Sequence, residues 1–133
     1  MNKQELKKII LDNGFEQSSQ SPNCVWQYPE WDLPLIENRF RVYCALFLNE
    51  SDNCLEDCTE IYDFKNNEFM FRKQFYVCPV NKELHLLDEE KLINIINSQK
   101  ELYKKMMKLV KQIMVDEKIN DLEKDFDNVN RNT

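Results

Sequence analysis

The sequence predicts an α+β domain: an N-terminal helix, an antiparallel four- or five-stranded sheet, and a long or broken C-terminal helix. Three observations carry that expectation. Apolar residues recur at helical spacing near the start and again from Leu92 onward, whereas the stretch between them alternates with a period of two. Turn-rich runs at 18–23, 49–53 and 65–67 divide the middle stretch into short segments. Helical and strand patterns are segregated along the chain, which suits an antiparallel sheet with helices over one face.

The first element spans Asn2 to Asn13, where Leu6, Ile9 and Ile10 share one helical face, and Gly14 follows at the position that favours a left-handed C-cap. In Arg39 to Leu48, the residues Phe40, Val42, Cys44, Leu46 and Leu48 alternate onto one face, with Tyr43, Ala45 and Phe47 on the other. Apolar character on both faces predicts a central strand. Thr59 to Phe64 and Glu68 to Phe71 flank Lys65-Asn66-Asn67, a hairpin signal because Asn tolerates positive φ. Gln74 to Val80 extends that ribbon or adds a strand.

Asp88 followed by Glu89 and Glu90 reads as an N-cap with acids at the positive end of a helix dipole. Leu92, Ile95, Ile96, Leu102, Tyr103, Met106, Leu109, Val110, Ile113 and Met114 then form one broad face, and Lys100, Lys104, Lys108 and Lys111 line another. A second apolar stripe, Val115, Ile119, Leu122, Phe126 and Val129, is rotated by roughly half a turn from the first. A straight helix over both stripes is about 60 Å long, against a gyration radius of about 14 Å for a compact domain of this size. Two outcomes follow: a break or bend near Asp116, or a projecting end that makes a homodimer through Ile119, Leu122 and Phe126.

The 133 residues suit one domain, taken as 1–130 with a frayed tail at 131–133. Neither a secretory apolar segment nor a run of about 18 apolar residues occurs, so a cytoplasmic, non-membrane protein is expected. The odd count of five cysteines, with no secretory signal, is read as free thiols.

Signals for catalysis are poor. The single His85 must serve any histidine-dependent mechanism, and no local motif marks a nucleophile for it. One glycine excludes Gly-rich phosphate loops and the nucleophile elbow. Glu89-Glu90-Lys91 has a nuclease-like spacing, but it falls at a helix start where acids are already expected, and helix capping is the better explanation. Cys54 and Cys58 fit one helical turn of a zinc site, but no second pair matches them. The acidic stretch Asn49 to Glu60 lacks the central glycine of a calcium loop and is read as solvated loop. No enzyme activity, cofactor or metal is expected.

Two binding surfaces remain. The run Glu50, Asp52, Glu56, Asp57, Glu60 and Asp63 contains no Lys or Arg in a chain of net charge -6, a patch suited to steering a basic partner. Trp26, Tyr28 and Trp31, set between Pro22, Pro29 and Pro34, form an aromatic segment that can anchor an interface or plug the open end of the sheet. The expected function is a non-catalytic modulator or inhibitor of a larger partner with a basic surface, a class that includes proteins that handle nucleic acid. Anti-CRISPR, anti-restriction and toxin immunity proteins share this profile of size and charge alone. The alternative is an RNA-binding accessory protein using Lys100, Lys104, Lys108 and Lys111, with Arg39, Arg41, Arg72 and Lys73 among the strand aromatics.

Overall fold

Alternation in the middle of the chain produces a meander. The computed structural model describes residues 1–17, 25–28, 35–37, 39–64 and 71–131, with backbone alone for 71–81 and 128–131. Helix α1 (Lys3–Asp12) leads into strands β1 (Glu16–Gln17), β2 (Val25–Tyr28), β3 (Phe40–Asn49), β4 (Cys54–Asp63) and β5 (Phe71–Glu83). A 3-10 turn (Leu84–Leu86) then connects to helix α2 (Glu89–Arg131). The five strands lie in chain order and every neighbouring pair is antiparallel. The expected fold class is the one found.

Local chemistry accounts for the element ends. The Asn2 side chain accepts a hydrogen bond from the Glu5 amide at 2.8 Å, capping α1. Gly14 takes φ +93, which a residue with a Cβ rarely adopts, as the chain leaves α1. The β3–β4 turn is an Asx turn in which Asn49 Oδ1 accepts from the Ser51 amide at 3.1 Å, and Asn53 closes it at φ +54. Asp88 Oδ1 accepts from the Lys91 amide at 2.8 Å, so α2 starts at the expected cap.

Both helices cover the sheet face formed by the even-numbered residues of β3. Leu6 and Ile10 of α1, Leu92 and Ile96 of α2, and Trp26, Leu46, Leu48 and Leu55 of the strands form one apolar cluster. Phe40, Val42, Ile61, Met106 and Val110 form a second. Fully burying each Leu, Ile or Val contributes about 1.5–3 kcal/mol. Between the clusters lies a band of buried polar groups. Gln99 Nε2 donates to Asp57 Oδ2 at 2.6 Å, and the Cys44 thiol donates to Gln99 Oε1 at 3.1 Å. Cys44 pairs with Thr59, and Leu46 with Asp57, across β3 and β4. Buried polar groups persist where they find partners, and here a single glutamine side chain supplies bonds to both strands.

Two expectations require correction. The Asn49 to Glu60 stretch is not a solvated loop, because its second half is a strand inside the sheet. Leu55, Asp57, Thr59, Ile61 and Asp63 share one face while Glu56 and Glu60 take the other, and that period of two builds a strand despite the charge. The C-terminal helix does not break near Asp116: α2 is one helix of 43 residues that runs through to Arg131, about 65 Å long. No Pro or Gly interrupts the junction at Val115 to Lys118, where Glu117 and Lys118 are good helix formers. The turn at 65–67 and Glu68 lie outside the described residues.

Candidate functional site

The β4 period divides the acidic run in two. Asp57 and Asp63 point to the helix-covered face, where Asp57 is fully buried and Asp63 receives both Arg39 Nε and Nη2 at 2.8 Å. Arg39 also reaches Glu117 of α2 at 2.6 Å, and its guanidinium pKa is held far above the usual value, first by the Asp63 bond and then by Glu117. Glu60, 2% exposed, lies on the opposite face, where it accepts from the Tyr62 hydroxyl and lies 3.4 Å from the Cys58 thiol. Asp57, Glu60 and Asp63 are therefore structural groups in this fold and do not form an outer surface.

The remaining acids gather at one end of the sheet. Glu50 and Asp52 are exposed in the β3–β4 turn, and Glu56 is half-buried two residues into β4. Register places Glu83 opposite Cys54. The Cys54 thiol pKa is raised, first by burial and then by Glu83, Asp52 and Glu56, so the fields of three carboxylates converge on this point. Lys3 of α1 pairs with Glu50 at the rim. The arrangement has the chemistry of a charged docking rim; the nearby His85 is exposed, with Glu83 at 3.3 Å. Among the described residues, no group of three or more His, Cys, Asp or Glu could hold a metal ion.

The other nominated residues fall in several places. Trp26 is fully buried in the first apolar cluster and cannot touch a partner, while Trp31 lies outside the described residues. Lys104, Lys108 and Lys111 are exposed on α2, and Lys100 is half-buried with its ammonium 5.4 Å from the Tyr28 ring centre. Cys54 and Cys58 lie on a strand about 13 Å apart, not on one helical turn. Ile119, Leu122 and Phe126 are exposed by 48%, 68% and 67%, together with Val115 at 48%. They form a continuous apolar stripe on the outer half of α2.

No protein-family model, curated protein or solved structure matches this chain. Its own geometry must carry any functional argument. That geometry adds three residues that the sequence did not single out: Gln99, Glu83 and Glu117. Gln99 had a visible signal, since it interrupts an apolar helical face at 92, 96, 103 and 106 spacing. Glu83 had none, because its place beside Cys54 depends on the register of β4 against β5.

Proposed function

We propose that this protein is a non-catalytic binding module that modulates or inhibits a larger protein with a basic surface. The placement of Glu50 and Asp52 in the β3–β4 turn, with Glu56 just inside β4 and Glu83 opposite Cys54 by register, is the observation that supports it. An acidic rim on a rigid hairpin raises encounter rates with a basic surface and orients the encounter. Small inhibitors such as anti-CRISPR, anti-restriction and immunity proteins act on partners of this kind.

Because Asp57 and Glu60 are buried, the test must use only the outer acids. Reversing Glu50, Asp52 and Glu56 to Lys should slow association with a partner recovered from the native host and flatten its salt dependence, with the fold kept. Unchanged association at low salt would refute the reading. A second reading, RNA binding through the α2 lysines, is favoured by the exposure of Lys104, Lys108 and Lys111. It requires that their neutralisation abolish a steeply salt-dependent retention on RNA.

A further inference from the structure

Exposed apolar side chains on α2 follow a strict order. Val115, Ile119, Leu122 and Phe126 are spaced by four, three and four residues, the a and d positions of a heptad. This seam faces away from the molecule's own sheet: Glu117, which meets Arg39, lies on the opposite side of the helix at about 100° per residue. We infer that a second copy of this chain covers the stripe, the two α2 ends forming a short parallel coiled coil.

Charge complementarity selects this occupant. Lys118 and Glu123 flank the seam on opposite sides and are exposed. In a parallel pair, each Lys118 faces Glu123 of the partner subunit, five residues further along, and each Lys111 faces Asp116 of the partner subunit in the same way. An antiparallel pair instead sets Asp116 against Glu123 of the partner subunit, a like-charge contact repeated by symmetry that offsets the favourable contact it makes between Lys118 and Asp125 of the partner subunit. A lipid surface is disfavoured, because the helix from Asp116 to Asp127 carries six acids and two lysines, whereas membrane-surface helices are rich in Lys and Arg on the polar face.

Coiled coils that hold on their seam alone usually sustain three or four heptads, and this seam has two. The docked half of α2 offsets part of that deficit: it has already nucleated the helix, so association need not supply the nucleation cost. The dimer is therefore weak but specific, and it goes beyond the binding role proposed above without depending on it.

Sedimentation of the full chain tests it. A monomer–dimer equilibrium half-complete near about 100 µM is expected. Leu122→Asp with Phe126→Asp should abolish association and leave the melting temperature of dilute protein unchanged, since both positions are exposed. Lys118→Glu and Glu123→Lys should each weaken the homodimer about fivefold, and an equimolar mixture of the two variants should restore association through heterodimers. A wild-type chain that stays monomeric at about 1 mM would overturn the proposal. So would a Glu123→Lys dimer tighter than wild type, because that substitution relieves the antiparallel clash. Loss of partner binding by the variants with acid reversal in the hairpin would leave these outcomes unaffected.

Discussion

Gln99→Leu removes an α2 side chain that answers the polar band of the sheet. The glutamine is 3% exposed, and it donates to Asp57 at 2.6 Å while accepting from the Cys44 thiol at 3.1 Å. Losing a hydrogen bond to a buried carboxylate costs about 1.5–3 kcal/mol, and the weaker thiol bond adds about 0.5 kcal/mol. Burying a leucine there returns about 1 kcal/mol. The net loss is about 2 kcal/mol. Unfolding entropy of about 2.1 cal/mol/K per residue gives about 280 cal/mol/K for the whole chain, so the midpoint should fall by about 7 °C. The assay is thermal unfolding followed by circular dichroism, with Asn97→Leu as an exposed control on the same helix. If Gln99→Leu melts within a degree of that control, the polar band contributes nothing to stability and the argument fails.

Further outcomes follow from the same geometry. Arg39→Met should destabilise the fold by about 2 kcal/mol in urea, because Asp63 and Glu117 both lose a charged partner. Lys3→Met, which breaks an exposed pair with Glu50, should change stability by under about 0.5 kcal/mol. Burial pushes the Cys44 and Tyr43 pKa values up to about 12 from 9.0 and 10.0. The folded state therefore holds these protons more tightly than the unfolded chain, so stability is full below pH 9 and falls as pH rises toward 12. Cys44→Ala should flatten that fall, as read from urea midpoints across the range. Reversing Asp57 and Glu60 to Lys should unfold the protein where reversal of Glu50 and Asp52 does not, checked by circular dichroism at neutral pH.

The elements that were legible in the sequence are those whose pattern is local. The helical spacing of Leu6, Ile9 and Ile10, the period of Phe40 to Leu48 and the Asp88 start of α2 all rest on neighbours within four residues, and the structure reproduces them. The acidic run was misread because charge was weighed above alternation. Leu55 and Ile61 keep a two-residue phase that carries Asp57 and Thr59 inward with them, and a partner 42 residues away makes that burial tolerable. No local signal reports such a partner. The outer stripe of α2 was legible as a half-turn rotation, but the sequence alone did not decide between a break and a projection. The unbroken backbone from Glu89 to Arg131 decides it.

That single helix has unequal support along its length. As far as Val110 it rests on buried side chains of the sheet and α1, and the Arg39–Glu117 pair is the last described ion pair that joins it to the sheet. Beyond that point, about 14 residues continue with exposed side chains where described. Helix that propagates without packing gains little per residue in water, so its opening free energy should decline steadily toward the C terminus. Amide hydrogen exchange read residue by residue along α2 should record a slope and not a step, with protection near the global value at Ile96 and almost none by Phe126. Any molecule that lies against the outer stripe would lift the lower end of that slope, which makes the exchange rate at Leu122 a direct reporter of occupancy.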